Sequence, residues 1–217
     1  MNKKSSHLYK KVSLIAATNQ NCKISEQYRT IRTNFLSSTN CINSRTLIIT
    51  SPNGQEGKST TAANLAITLA QQGKKVLLID ANMRNPNLGC SFNIDNFTGL
   101  SSVLKGRIRF EDTIDQTEIK GLDLLTSGPV PFNPTELLGS QNMESLIETV
   151  VGLYDVVVID TPPILEVSDA KILANQCDGL LLVLRSGKTK SAEAIKVKKI
   201  LESSKSKLLG IILIDTD

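Results

Sequence analysis

Residues 46–60 read Thr-Leu-Ile-Ile-Thr-Ser-Pro-Asn-Gly-Gln-Glu-Gly-Lys-Ser-Thr, and this order constrains the chain more than any other stretch. An apolar run of strand-forming residues passes through a glycine-bearing loop to Gly57-Lys58-Ser59. Thr61-Ala62-Ala63-Asn64-Leu65 then follows as a good helix-forming run. A strand, such a loop and a helix start are the parts of a phosphate-binding loop. Free N–H groups and the positive end of the helix dipole meet a phosphate without desolvating a side chain. Lys58 is then the mobile cation for the outer phosphates, and the Ser59 hydroxyl is a ligand for Mg²⁺, a hard ion that prefers oxygen. The usual spacing places a small residue five positions before Gly57, where this chain has Pro52, with the glycine at Gly54.

Five more strand-like runs follow or flank it: 75–80 (KVLLID), 122–126 (LDLLT), 156–160 (VVVID), 180–184 (LLLVL) and 208–214 (LLGIILI). Most lack strict alternation, so they are expected to be buried on both faces, as in a parallel sheet. Helices are expected near 59–72, 136–152, 168–177 and 189–203, and an earlier one over 25–35. Ser25 would cap that first helix, and Tyr28, Ile31 and Phe35 recur along it at helical spacing. The pattern predicts an α/β fold: a doubly wound, mostly parallel sheet with helices on both faces. Ligands of such sheets sit at the carboxyl ends of the strands. The Lys-bearing segment 1–20 is expected to be flexible, leaving 21–217 as the folded domain.

Composition narrows the function classes. The 217 residues carry 25 Lys+Arg against 21 Asp+Glu, no Trp, three Tyr and five Phe, which supplies neither the charge nor the stacking rings of a dedicated nucleic-acid binder. Four cysteines without a C-x-x-C pair, and His7 as the one histidine, argue against a zinc site or a disulfide framework. The apolar runs fall well short of the ~20 residues a membrane crossing needs.

Two of the strand-like runs end in an acid, Asp80 and Asp160, at the same end of the sheet as the phosphate loop. Such a carboxylate can hold Mg²⁺ directly or through water. Asp80 can also accept a proton from an attacking hydroxyl. Arg84, four residues on, is a candidate for neutralising charge on a transferred phosphoryl group.

The segments LLIDANMRNP, GLSSVLKG, LLTSGPVPFNPTELLGS and YDVVVIDTPP, in this order around the loop, resemble the bacterial tyrosine kinases of capsule and exopolysaccharide synthesis. Those enzymes are similar to the division-site and partition ATPases, which implies a P-loop NTPase fold. The resemblance implies ATP and Mg²⁺ as cofactors, with ATP held by Gly54, Gln55, Glu56, Gly57, Lys58, Ser59 and Thr60. It implies the metal at Ser59, Asp80 and Asp160, and catalysis by Lys58, Asp80 and Arg84. The family's E-x-x-R-x-x-R helix, through which subunits form a ring, is matched by Glu26, Arg29 and Arg32. The Gram-positive, separate-chain form further implies a cytoplasmic location at the inner face of the membrane, held there by the cytoplasmic tail of a membrane adaptor. Protein tyrosines are the implied substrates.

The chain departs from the family's pattern in three places. Asn82 stands where the second acidic strand has a further Asp, and an amide cannot act as a base. Ile214 stands where an Asn near the adenine is common. Tyr9, Tyr28 and Tyr154 are the tyrosines, and none forms a C-terminal cluster. Two other readings stay open on the residues: a partition-type P-loop ATPase, although Asn53 replaces its second lysine, and a nucleotide-binding scaffold for a membrane adaptor.

Overall fold

A computed structural model describes residues 11–39 and 45–215. In chain order it contains α1 (Ile15–Thr18), α2 (Lys23–Thr39), β1 (Thr46–Thr50), α3 (Lys58–Gln71), β2 (Val76–Asp80), α4 (Leu88–Ser91), α5 (Leu100–Leu104), β3 (Asp115–Gln116), β4 (Leu122–Leu125), α6 (Pro134–Leu138), α7 (Gln141–Leu153), β5 (Val156–Asp160), α8 (Asp169–Leu173), β6 (Gly179–Arg185), α9 (Ser191–Leu201) and β7 (Lys207–Ile214). The strands form one sheet in the order β3-β4-β2-β5-β1-β6-β7, parallel throughout except for the short β3 on β4. This is the doubly wound α/β architecture expected from the run pattern.

The absence of alternation in the central strands follows from burial on both faces. Leu47, Ile49, Val76, Leu78, Val156 and Val158 point to one side, where α3 and Phe35 of α2 cover them. Ile48, Leu77, Ile79, Val157 and Ile159 point to the other, against Met143, Leu146 and Val150 of α7 and Leu173 of α8. Each such side chain contributes about 1.5–3 kcal/mol by leaving water. β1 lies between β5 and β6, with β2 beyond β5, so the carboxyl ends of β1, β2 and β5 open together.

The edges and the N-terminal region differ from the sequence expectation. β7 borders the sheet, and Ile211 and Leu213 are 57% and 65% exposed, so this run is not buried on both faces. Residues 11–20, expected to be flexible, include α1, which is docked on α3. Asn64 of α3 is fully buried and needs partners: it accepts from Ala16 N (2.9 Å) and donates to Ser13 O (2.7 Å). Residues 1–10 of that expectation lie outside the described residues. Ser25 is not a cap. Helix α2 starts two residues earlier, Cys22 Sγ receives Ser25 N, and the Ser25 hydroxyl donates to Asn19 O (2.6 Å) and Ile15 O (3.2 Å), tying α2 to α1.

Candidate active site

The loop between β1 and α3 is shaped by residues that turn away from its mouth. Gly57 precedes α3 with φ +93°, a left-handed backbone conformation that favours glycine, and Ile214 Cδ1 packs over it. Glu56, expected among the ATP-binding residues, is fully buried. Its carboxylate accepts from Asn53 N (2.8 Å) and from Thr189 Oγ1 (2.6 Å), which braces the loop against the turn after β6. Pro52 is accommodated because the position needs only a carbonyl: Leu165 N donates to Pro52 O (3.2 Å), and Ile164 N to Ser51 O (2.9 Å). The segment after β5 is thereby stitched to the first half of the loop.

Four predicted residues converge. Lys58 and Ser59 open α3 while remaining 7% and 5% exposed, with Lys58 Nζ 3.3 Å from Ser59 Oγ. Asp160 at the end of β5 is wholly buried, and neither carboxylate oxygen has a hydrogen-bond partner. Burial pushes its carboxyl above the usual range, and the Lys58 ammonium, with Ser59, pulls against that shift. Asp80 is directly opposite it, in register across β2 and β5. Burial, and then the neighbouring Asp160, raise Asp80 to about 7, while three backbone donors, Leu88 N, Asn87 N and Asn82 N at 3.1–3.2 Å, favour its charged form.

Arg84 is bonded to a buried acid. Its Nε meets Asp169 Oδ2 at 3.0 Å, and its Nη2 donates to Thr135 Oγ1 (2.8 Å) and Asp169 Oδ1 (3.3 Å). Asp169 has no exposed side-chain surface, so the guanidinium serves as its counter-ion at the start of α8. Asn82 Nδ2 is turned to Asn85 O (3.1 Å), which tightens the turn after β2.

On α2, Glu26 pairs with Arg29 within the helix (2.8 Å), and Arg29 also donates to Gln20 O. Arg32 reaches inward to Thr68 O of α3 (3.1 Å). The three side chains therefore do not form one outward face, because the third is spent on the helix packing. Tyr28 is buried, and Tyr154 is buried with its hydroxyl on Asp123 (2.9 Å). Tyr9 lies outside the described residues.

Sequence reasoning missed the second layer around the loop. Lys188 Nζ donates to Gly54 O (2.6 Å), Arg185 Nη1 to Gln55 O (3.1 Å), and Gly54 N to Glu166 Oε1 (2.7 Å). The basic run after the β6 segment, at the carboxyl end of a strand, was the signal for the first two. For Glu166 no local pattern exists.

The buried lysine at a helix start, the two strand-end carboxylates and the loop between them define a P-loop nucleotide-binding domain. Residues 44–208 match the AAA domain family. The chain is 50% identical over 201 residues to the tyrosine-protein kinase YwqD of Bacillus subtilis, covering 93% of this chain and 85% of that one. Its fold is similar to the chimerical protein CapA2B2 (TM-score 0.87, 39% identity, covering 93% and 88% of the two chains). It is also similar to the kinase domain of the Escherichia coli tyrosine kinase ETK (TM-score 0.90, 33% identity, covering 97% and 83%). The chain belongs to the bacterial tyrosine-protein kinases. Among the described residues no helix is long and apolar enough to cross a membrane.

Proposed function

We propose that this chain transfers the γ-phosphoryl group of ATP to a protein tyrosine with Mg²⁺, in the control of capsular or exopolysaccharide synthesis. The observation that carries the reading is Asp160, a buried carboxylate with two unpartnered oxygens beside a buried Lys58 and Ser59. Buried carboxylate oxygens without hydrogen bonds are costly until a ligand completes them, and a phosphate-bound cation is the complement of that donor set. Mg²⁺, held by Ser59 and Asp160 with Asp80 directly or through water, would neutralise phosphate charge when bound.

The remaining steps belong to the chain's own residues. Amides from Gly54 to Thr60 cradle the phosphates, and Lys58 follows the outer ones. The tyrosine oxygen attacks the γ-phosphorus, the bond to the β–γ bridging oxygen breaks, and the phenolic proton passes to Asp80. Arg84 acts indirectly, fixing the turn after β2 through Asp169.

Tyr28 and Tyr154 are buried, which supports an acceptor tyrosine presented by another protein chain. The family likeness supports an activating tail from a membrane adaptor, a location at the inner face of the membrane, and a ring-shaped homo-oligomer with Glu26, Arg29 and Arg32 near its contacts.

The test supplies the purified chain with Mg²⁺, labelled ATP, an activator-tail peptide and a tyrosine-rich acceptor peptide. Phosphotyrosine in the wild type, reduced at least about 100-fold in Lys58→Met, is the expected result. No phosphotyrosine despite tight nucleotide binding would overturn the kinase reading and leave a nucleotide-binding scaffold.

A further inference from the structure

We propose that Glu166 is a specificity-determining residue of this site. Its carboxylate holds the place of the terminal phosphate at the mouth of the loop and sets the preference between nucleoside diphosphate and triphosphate. The inference rests on the nucleotide-binding reading above.

Glu166 Oε1 accepts from Gly54 N at 2.7 Å, a charge-assisted contact on an amide of the phosphate-binding loop. A Cβ built on Gly54 would lie 3.4 Å from the same oxygen, so the carboxylate rests against the loop backbone itself. Two cations grip the same turn through its carbonyls, Lys188 at Gly54 O (2.6 Å) and Arg185 at Gln55 O (3.1 Å). The mouth of the loop is thus positive, and it already contains an anion.

Position decides which phosphate this anion imitates. Gly54 lies on the strand side of the loop, ahead of Gly57 and Lys58, whereas the amides that open α3 sit at its other end. The inner phosphates take the helix start, and Lys58 reaches the outer ones, so the Gly54 N–H belongs to the far end of the phosphate chain. A diphosphate can settle on the helix end with Glu166 in place. A third phosphate needs the amide that Glu166 occupies, and two anions cannot share it.

The device can move without disturbing the fold. Its backbone is fixed by Ile164 N to Ser51 O and Leu165 N to Pro52 O, while the Glu166 side chain is exposed and free to rotate outward. Opening therefore costs a hydrogen bond and not a loop rearrangement.

The experiment measures dissociation constants of Mg-ATP and Mg-ADP by calorimetry for the wild type, Glu166→Gln and Glu166→Ala, with thermal unfolding in the absence of nucleotide as a folding control. Removing one competing charge-assisted contact is expected to tighten ATP binding about tenfold while ADP changes less than about twofold. Binding of ATP by the variants when the wild type binds none would support the proposal in a stronger form. An unchanged ratio of ATP to ADP affinity, or weaker ATP binding in both variants, overturns it and leaves the kinase reading intact. Failure of both variants to fold makes Glu166 structural and overturns it as well. Absence of nucleotide binding in every form overturns both readings.

Discussion

Asp80 and Asp160 face one another in register at the ends of adjacent parallel strands, both without solvent exposure, and only Asp80 has its oxygens satisfied by backbone donors. Two buried carboxylates side by side repel, and the pair persists because Lys58 lies close to one and three amides hold the other. The asymmetry suits the roles proposed for them, with the oxygens of Asp160 left open to a cation and those of Asp80 held by amides.

The first prediction concerns pH. Asp80 at about 7 lies above the ~3.9 of an unfolded aspartate, so between those values the folded protein retains a proton that the unfolded chain has released. Asp80's contribution to the stability of the cation-free protein is therefore fully present below about pH 4, falls as pH rises through about 7, and is gone above. Urea midpoints in EDTA from pH 5 to 8 should decline in the wild type relative to Asp80→Asn. Parallel profiles would contradict the assignment.

The second concerns Asn82, which is 4% exposed and donates to Asn85 O. Asn82→Asp sets a carboxylate against that carbonyl and adds a third acid to the pair. A loss of about 1–3 kcal/mol is expected in EDTA, recovered on adding Mg-ATP, with phosphotyrosine formation raised several-fold. Thermal unfolding and the peptide assay together check both signs.

The third concerns the Arg84–Asp169 pair, whose partners are unequally buried, with side chains 41% and 0% exposed. When Asp169 is neutralised, Arg84 can turn to water. When Arg84 is removed, Asp169 cannot, although Thr135 still donates to it. Arg84→Ala should therefore cost about 3 kcal/mol and Asp169→Asn about 1 kcal/mol by denaturant unfolding. The reverse order would show that the arginine is not serving as the buried acid's counter-ion.

Thiol chemistry supplies a fourth. The Ser25 hydroxyl, then the Ser25 amide, lower the Cys22 thiol below its ordinary value, whereas burial pushes Cys177 up to about 12. At pH 8 iodoacetamide should label Cys22 well ahead of Cys177, by peptide mass mapping, and Ser25→Ala should slow the Cys22 reaction.

Much of the fold and the heart of the site were legible because they are local. The run 46–60 is a self-contained strand, loop and helix start, and VVVID and KVLLID each carry their acid at the strand end, where the two meet in register. The long-range partners were not legible. Arg84 and Asp169 are 85 residues apart, Gly54 and Glu166 are 112 apart, and Glu56 and Thr189 are 133 apart. A charged residue in a loop reads as solvated until the fold brings its counterpart. The same holds for Arg32, whose helical spacing suits an outward face but whose guanidinium is drawn to Thr68 O. Docking of α1 was hidden because it depends on long-range polar contacts, from Asn64 and Gln71 of α3 to Ala16.

The most direct measurement is the fate of the γ-phosphoryl group in a single reaction of the wild-type chain with Mg²⁺, labelled ATP, activator-tail peptide and tyrosine acceptor, separating phosphotyrosine from free phosphate. Most label lost from ATP should appear on tyrosine, and omitting Mg²⁺ should stop its transfer. Label recovered as free phosphate with none on tyrosine would contradict it and identify the chain as an ATPase.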